Sequence, residues 1–396
     1  MTIHTKPKKR ADRLKIAWVL TCRFIGNQLI GILRFLIFRK NDRPGKILVF
    51  RTGSIGDSIC AMPSVSRIRD HFPEAQIHLL TNAGKGRRNL VSFEALAAPG
   101  LFDSIINYEG LPLKKLVRSL RSERYDLVVH LPQYEARLAG LLRDMVFFRF
   151  VAGIGAGWGW EFNRLLSFRQ TQEKYMTWPG ERDRLSLILQ KNGIRAQTPD
   201  RFPFNISEGD RLTVNALLEN LPLSGRPVIG IVPGAKRPQN RWPVAHFAQV
   251  VEHFCRDFDI FLIGGENDMP EIAPLLELPG TYSFCGLLSP VQSGLLMQRC
   301  LLVLSNDTGP MHLAYAFGAP VVALFSNRDF PNRWFPPDNG QNAVLRARDI
   351  PCSICLSETC ANNICMKAIA PDEVISVMNR TLAALSTGKK SELQQK

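Results

Sequence analysis

Short apolar runs alternate with helical patterns along most of this chain, and this alternation constrains the fold more than any single motif. Alternation of this kind is typical of a mostly parallel sheet covered on both faces. Residues 155–180, which contain GAGWGWEF, interrupt the alternation and predict a loop. In the first half, strands are predicted at 47–50, 77–80, 104–107, 126–130 and 150–154.

The alternation restarts after two helical patterns at 181–192 and 208–219. A length of 396 residues exceeds one ordinary core and fits two domains. Two doubly wound domains are expected to bind ligands in a cleft at the carboxyl ends of their strands. Further strands are predicted at 228–232, 260–263, 301–304 and 321–325. The expected divisions are an N-terminal arm at 1–45, a first domain at 46–180, a helical connection at 181–225, a second domain at 226–385 and a charged tail at 386–396.

Positive charge is concentrated in the N-terminal arm. The first 46 residues hold twelve Lys and Arg against two Asp and Glu, so ten of the fifteen net positive charges lie there. A nucleic-acid-binding protein more often spreads its charge over a folded face, so no nucleic-acid partner is expected. Strongly salt-dependent binding to DNA or RNA would contradict this expectation.

The arm also carries an apolar helical pattern with Arg23, Asn27 and Arg34 in one stripe. Those arginines disfavour a spanning helix, and no cleavage site for a signal peptide follows. The pattern favours a helix lying on an anionic membrane surface, and its alternative is a helix packed on the protein's own core. A cytoplasmic, peripheral inner-membrane location is therefore expected.

The stretch FRTGSIGDSIC contains a glycine turn between a predicted strand and helix. Its spacing is G-x-x-G-D, so Asp57 lies where a phosphate would rest in many nucleotide-binding folds. A carboxylate at a helix N-terminus is stabilised in its ionised form and can accept a proton. Asp57 is therefore either an ordinary helix cap or a general base.

Three motifs in the second domain predict a diphosphate site. In SNDTGPMHLAYAFG, Asp307 or Thr308 caps a helix, and Gly309 permits close approach to its N-terminus. His312 is expected to face the same first turn. The alternative is a capped helix without a ligand.

The other two motifs follow predicted strands. The loop of VPGAKRPQNRWP holds Lys236, Arg237 and Arg241, cations that suit phosphate neutralisation, although a solvated basic loop has the same pattern. In LIGGEND, Glu266 suits hydrogen bonds from ribose hydroxyls.

Six motifs, taken in order, resemble those of glycosyltransferase family 9, the lipopolysaccharide heptosyltransferases. They are ILVFRTGSIGDSICAMPSV, YDLVVHL, GIVPGAKRPQNRWP, LIGGEND, SNDTGPMHLAYAFGAPVVALF and RWFPP. The resemblance covers residues 46–380. It implies a GT-B fold, with two facing Rossmann-like domains and an interdomain cleft. It also implies inverting transfer of heptose from ADP-heptose to a lipid-linked inner-core acceptor of lipopolysaccharide.

By the same resemblance, Asp57 matches the catalytic base, and Arg51, Ser54 and Gly56 lie on the acceptor side. The residues expected at the donor are Lys236, Arg241, Glu266, Asp307, Thr308, Gly309, Met311 and His312.

One position departs from the family pattern. Asn240 stands where the family often has a lysine near the donor phosphates, so another nucleotide sugar is the alternative donor. No redox cofactor is expected, and the motifs expected at the donor site lack the D-x-D signature of a metal-bound donor.

Four cysteines cluster in CSICLSETCANNIC at 352–365. Cys352, Cys355, Cys360 and Cys365 have a spacing that permits zinc or an iron–sulfur cluster, but a structural role without metal is favoured.

Two other functions remain open. One is a related GT-B enzyme that uses another nucleotide sugar for surface polysaccharide, or a sugar-nucleotide epimerase. The other is a non-catalytic, membrane-associated protein that binds nucleotide sugars. The paired Gly56-Asp57 and 307–312 motifs favour the transferase.

Overall fold

The structure is a computed structural model that describes residues 10–82, 93–133, 138–160, 179–195, 199–348, 350, 354–357 and 359–393. The chain divides into two compact units: Arg13–Asn205 forms one, and Ile206–Lys396 is grouped with Met1–Asp12 in the other. The α/β prediction of two parallel-sheet units is confirmed. The division falls inside the stretch 181–225 that was expected to connect the domains.

The N-terminal unit contains a five-stranded parallel sheet in the order β3-β2-β1-β4-β5. The central strand has Ile47, Leu48 and Val49 fully buried, as a parallel strand covered on both faces requires. The strands are β1 (Lys46–Phe50), β2 (Gln76–Thr81), β3 (Ser104–Asn107), β4 (Leu127–His130) and β5 (Ala156–Trp158).

Helices connect these strands, and one of them overturns a strand prediction. The stretch predicted as a strand at 150–154 is wrong, because Phe147–Val151 continues the preceding helix as a π-helix. The helices are α1 (Arg10–Ile37), α2 (Ile55–His71), α3 (Leu113–Glu123), α4 (Leu138–Val146) and α5 (Glu181–Lys191).

Strand β5 lies in the stretch predicted as a loop, so that prediction is also wrong for residues 156–158. Gly157 lies against the Phe38 ring, where an added Cβ would come within 2.9 Å of ring carbons. Trp158 and Trp160 are buried beside it. The small and large side chains of this stretch therefore complete a core rather than a loop.

Helix α1 packs on the N-terminal unit along one side. Ile30 and Phe38 are buried, and the Phe38 ring stacks on Trp160 at 5.0 Å between centroids. Arg34 Nε donates to the Gly157 carbonyl oxygen at 3.2 Å. The interpretation of a helix packed on its own core thus holds for this side of α1.

The C-terminal unit contains a six-stranded parallel sheet in the order β11-β10-β9-β6-β7-β8. The two edge strands, β8 and β11, were not predicted because each has only three or four residues, of which at least two are partly exposed. The strands are β6 (Val228–Val232), β7 (Asp259–Leu262), β8 (Thr281–Ser283), β9 (Leu302–Asn306), β10 (Val321–Phe325) and β11 (Ala343–Arg346).

The helices of this unit contribute to a core that includes Trp242 and Phe247. Within the described residues, none of the helices is long and apolar enough to cross a bilayer. The helices are α6 (Glu208–Glu219), α7 (Val244–Phe254), α8 (Met269–Ile272), α9 (Pro290–Met297), α10 (Gly309–Ala316), α11 (Ile364–Lys367) and α12 (Pro371–Leu393).

Candidate active site

Asp57 lies in the first turn of α2, directly after the central strand of the N-terminal sheet. Its Oδ2 accepts hydrogen bonds from the Ser54 backbone N–H at 2.9 Å and from Ser54 Oγ at 3.0 Å. Its Oδ1 lies 3.3 Å from Arg51 Nη2, and 16% of the side chain is exposed. The carboxylate is therefore fixed at the carboxyl edge of the sheet, with part of its surface open.

Gly53 makes this position possible. Its φ is +144°, and an added Cβ would lie 2.4 Å from Asp57 Cβ and 2.7 Å from Oδ2. Asn82 holds the turn from the end of β2, accepting from the Gly53 N–H at 2.8 Å and donating to its carbonyl oxygen at 3.1 Å. The first glycine of the motif thus makes room for the carboxylate.

The three residues expected on the acceptor side have different surroundings. Arg51 is fully buried and donates to the Asp57 carbonyl oxygen at 2.9 Å. Ser54 bonds to the Asp57 carboxylate, and Gly56 is buried in the first turn of α2. Arg51 and Ser54 thus hold Asp57, and their proposed contact with an acceptor stays a prediction.

His130 is a buried titratable group at the same sheet edge that was not predicted as a site residue. It ends β4 beside Phe50, and the two rings stack at 5.1 Å between centroids. Its pKa is lowered to about 3, mainly by desolvation and then by the charges of Arg51, Arg184 and Arg143. The imidazole is therefore neutral at physiological pH and adds no positive charge to this edge.

Asp307 lies between the end of β9 and the start of α10 in the C-terminal unit. Its pKa is raised to about 7. Desolvation is the largest cause, Asp329 acts in the same direction, and the positive charges of Arg237, Arg328 and Arg333 oppose it. A carboxyl that is partly protonated near neutral pH repels a nearby diphosphate less than a fixed anion would.

Asn240 fixes this carboxyl. Its Nδ2 donates to Asp307 Oδ2 at 2.8 Å and to the Asp307 carbonyl oxygen at 3.1 Å. Its Oδ1 accepts from Ser326 Oγ at 2.8 Å. The residue that replaces the family lysine is therefore buried and fully engaged within the protein.

The start of α10 lies where the sequence predicted a helix N-terminus, and anion binding there stays a prediction. Thr308 is the N-cap residue, with Gly309 and Pro310 in the first turn. Met311 is fully buried, and His312 is buried with its Nδ1 3.0 Å from Tyr315 Oη. The expectation that these two side chains meet a donor thus stays a prediction, while Thr308 and Gly309 are partly exposed.

The basic loop after β6 holds one cation that is bonded within the protein and one that is exposed. Arg241 donates to the Ala235 carbonyl oxygen at 2.8 Å and forms an ion pair with Glu271. Lys236 is exposed, which leaves its ammonium accessible. Lys236 is therefore better placed than Arg241 to meet a diphosphate.

Glu266 is exposed at the end of β7, in the turn that Asp268 organises. Asp268 Oδ2 accepts from the Gly265 N–H at 2.9 Å, and an added Cβ on Gly234 would lie 2.2 Å from the Asp268 carboxyl. Asp268 thus joins the loops after β6 and β7. The sequence offered no signal for it beyond its place in GGEND.

The cysteine cluster is described for three of its four members, because Cys352 lies outside the described residues. Cys360 is exposed, Cys355 is partly exposed, and Cys365 is buried. Desolvation raises the pKa of the Cys365 thiol, and charge on Cys355 or Cys360 would raise it further. No group of three or more metal-ligating side chains that could hold an ion occurs among the residues with a described position.

One parallel-sheet unit has a carboxylate at the carboxyl edge of its sheet, and the other has a helix N-terminus at the carboxyl edge of its own sheet, as expected for a glycosyltransferase of the GT-B class. A model of glycosyltransferase family 9 (heptosyltransferase) matches residues 113–365, more than half of the chain. The chain therefore belongs to glycosyltransferase family 9 and is a glycosyltransferase.

Relatives named as heptosyltransferases match most of the chain. Lipooligosaccharide heptosyltransferase 2 of Campylobacter jejuni is 25% identical over 348 residues, which are 83% of this chain and 96% of that protein. Lipopolysaccharide heptosyltransferase 2 of Escherichia coli K12 is 28% identical over 330 residues, which are 76% of this chain and 88% of that protein.

A solved structure shows the shared fold. The structure of E. coli ADP-heptose lipopolysaccharide heptosyltransferase II matches with a TM-score of 0.60 and 23% sequence identity. The match covers 86% of this chain and 99% of that chain. The GT-B fold expected from the sequence is thereby confirmed.

Proposed function

We propose that this chain transfers heptose from ADP-heptose to an inner-core saccharide of lipopolysaccharide, with inversion at the anomeric carbon. The observation that carries this proposal is the Asp57 carboxylate, held at the edge of the N-terminal sheet by Ser54 and Arg51. The heptosyltransferase relatives from C. jejuni and E. coli support the choice of sugar and pathway.

The reaction is a single displacement. An acceptor hydroxyl gives its proton to Asp57 while its oxygen attacks the anomeric carbon of the donor. The bond from that carbon to the β-phosphate oxygen breaks, and ADP leaves with both bonding electrons. The N-terminus of α10 at Thr308 and Gly309 stabilises the developing charge, assisted by Lys236.

Donor recognition is assigned to the C-terminal unit. Glu266 is exposed where it can accept hydrogen bonds from ribose hydroxyls. The buried Asn240 amide fixes Asp307 beside the phosphate-binding helix. The reaction proposed for these residues uses no redox cofactor.

The test of this function is a comparison of wild type with Asp57→Asn. Calorimetry with ADP-heptose measures donor binding, and turnover with a deacylated core acceptor measures transfer. The expected result is retained donor binding and a loss of about 100-fold or more in kcat, within the range that removal of a general base produces. Wild-type turnover in the variant would contradict the role of Asp57.

A second candidate is transfer of another nucleotide sugar within surface-polysaccharide synthesis. Asn240 favours it, because a neutral amide occupies the position where the family often has a phosphate-binding lysine. Calorimetry with other ADP-, UDP- and GDP-sugars separates the two candidates. Tighter binding of one of these than of ADP-heptose selects the second.

We also propose that the enzyme acts at the cytoplasmic face of the inner membrane, held there by α1. The side of α1 opposite its packed side exposes Trp18, Phe35 and Leu36, each at least 70% accessible. Helix α3 adds an exposed basic face and is joined to the π-helix by a bond from Arg121 Nε to the Val151 carbonyl oxygen at 2.7 Å. Apolar side chains beside cations suit an anionic lipid surface.

Co-sedimentation with phosphatidylglycerol vesicles tests this location. Wild type is expected to sediment with these vesicles and to remain in solution with phosphatidylcholine vesicles. Phe35→Glu with Leu36→Glu should abolish sedimentation. Leu287→Glu, which changes an exposed leucine of the C-terminal unit, is the control and should sediment as wild type does. Equal sedimentation of all three proteins would contradict the proposed surface.

A further inference from the structure

Glu181 is a buried carboxylate shared by two buried arginines. It is the first residue of α5, and only 2% of it is exposed. Its Oε1 lies 3.3 Å from both Nη1 and Nη2 of Arg51. Arg184 donates from Nε to Oε2 and from Nη2 to Oε1, each at 2.7 Å. The two guanidinium groups therefore meet at one carboxylate.

The same Arg51 guanidinium also holds Asp57. Its Nη2 donates to the Asp57 carbonyl oxygen at 2.9 Å and lies 3.3 Å from Asp57 Oδ1. Its Nη1 donates to the carbonyl oxygens of Leu131 and Pro132, each at 3.1 Å. Arg51 is thus fixed by the loop after β4 through Nη1 and by Glu181 through both Nη1 and Nη2, and Nη2 also faces the Asp57 carboxylate.

Among the described contacts of this group, two carboxyl groups face two guanidinium groups. Arg51 and Arg184 supply two positive charges, and Asp57 and Glu181 supply two negative ones. A buried charge is costly unless it is paired and hydrogen-bonded. A glutamine at 181 has one acceptor oxygen, and its amide nitrogen would point N–H groups at a guanidinium, so at least one arginine would have to move.

We propose that Glu181 is a positioning residue for transfer, which fixes the Asp57 carboxylate by holding Arg51. This role rests on the proposed function, in which Asp57 is the general base. A base must lie within hydrogen-bond reach of the proton that it removes, so a small displacement of Asp57 slows proton transfer without weakening donor binding. The residues proposed to bind the donor all lie in the other unit.

The test is a double-mutant cycle on the full chain, with kcat and the ADP-heptose dissociation constant measured for each protein. Glu181→Gln is expected to lower kcat about tenfold or more and to leave the dissociation constant within about twofold of wild type. In the Asp57→Asn background, the same change should lower kcat less than about twofold further, because no base remains to be positioned.

Asp200→Asn is the matched control. Asp200 forms ion pairs with Arg67 of α2 and Arg182 of α5, so it joins the same two helices without bonding to Arg51. The control should lower the melting temperature and retain the kcat of wild type. Equal loss of kcat in Asp200→Asn and Glu181→Gln would identify a general packing effect and overturn the proposed role.

Failure of this inference is distinguishable from failure of the proposed function. If Asp57→Asn abolishes transfer and Glu181→Gln has wild-type kcat or an additive effect in the cycle, Glu181 does not act through Asp57 and only the inference fails. If Asp57→Asn itself turns over as wild type does, the proposed base fails, and the positioning role fails with it.

Discussion

The Asn240 amide nitrogen lies 2.8 Å from Asp307 Oδ2, and the amide oxygen of the same side chain accepts a hydrogen bond from Ser326. One buried side chain thus joins the loops that follow β6, β9 and β10. The position that the family pattern gives to a lysine serves here to hold a carboxyl in place.

Asn240→Ala should weaken donor binding about tenfold, because Asp307 and Ser326 lose their shared partner and the loops around the donor separate. It should also lower the free energy of unfolding by about 1–3 kcal/mol, the usual cost of leaving buried polar groups unpaired. Calorimetry with ADP-heptose and urea unfolding measure the two effects.

Asn342→Ala is the control for this change. Asn342 accepts from the Val321 N–H at 2.9 Å and donates to the Pro337 carbonyl oxygen at 2.9 Å, in the same unit. The control should lose stability and keep the donor affinity of wild type. Unchanged donor affinity in Asn240→Ala would show that Asp307 needs no such support.

Asp307 should make the protein less stable as the pH rises from about 4 to 7. Its pKa is raised from 3.8 to about 7 in the folded protein, so across this range the folded state holds a proton that the unfolded state releases. The resulting loss is up to about 1.4 kcal/mol per pH unit and is absent in Asp307→Asn. The measurement is urea unfolding of wild type and Asp307→Asn at several pH values. A difference in their free energies of unfolding that does not vary with pH would refute this prediction.

His130 should have the opposite effect. Its pKa is lowered from 6.5 to about 3, so below pH 6.5 the unfolded state binds a proton that the folded state excludes. Stability should therefore fall as the pH drops from about 6.5 to 3, by up to about 1.4 kcal/mol per unit. His130→Phe keeps the stacking on Phe50 and should remove this fall, as unfolding at several pH values will reveal. An equal fall in both proteins would assign the acid sensitivity to other groups.

Gly53→Ala should lower kcat about 100-fold, because its added Cβ would overlap the Asp57 side chain and displace the carboxylate. Donor affinity should not change. Gly110→Ala is the control: Gly110 also has a positive φ, of +80°, but its added Cβ would meet nothing within 4 Å. The control should lose stability alone. Similar kcat values for the two variants would show that backbone strain, and not the displacement of Asp57, lowers kcat.

Local patterns predicted most of the fold. The strands at 47–50 and 228–232 were recognisable because each is a continuous apolar run bounded by turn residues. Strand β5 was missed because its three residues, AGW, show no alternation of apolar and polar side chains. The close approach of Gly157 to the Phe38 ring depends on tertiary structure.

The candidate site was predicted where its residues are close in sequence, as with Gly53, Ser54 and Asp57. The pair of Arg51 and Glu181 is separated by 130 residues, and Asn240 lies 67 residues from Asp307. No local signal marks such partners, because each depends on which loops the sheet order brings together. The same reason explains why Arg241 was expected to meet the donor, although its guanidinium bonds to Glu271.

Helix α1 is attached to the N-terminal unit by packing and not by a flexible linker. The Phe38 and Trp160 stack and the bond from Arg34 to Gly157 join its last turns directly to β5 and the residues after it. A membrane surface that binds the exposed side of this helix would therefore also fix the orientation of the sheet edge that carries Asp57, and its distance from that surface. Removing α1 would therefore remove part of the core of this unit together with the proposed membrane-binding surface.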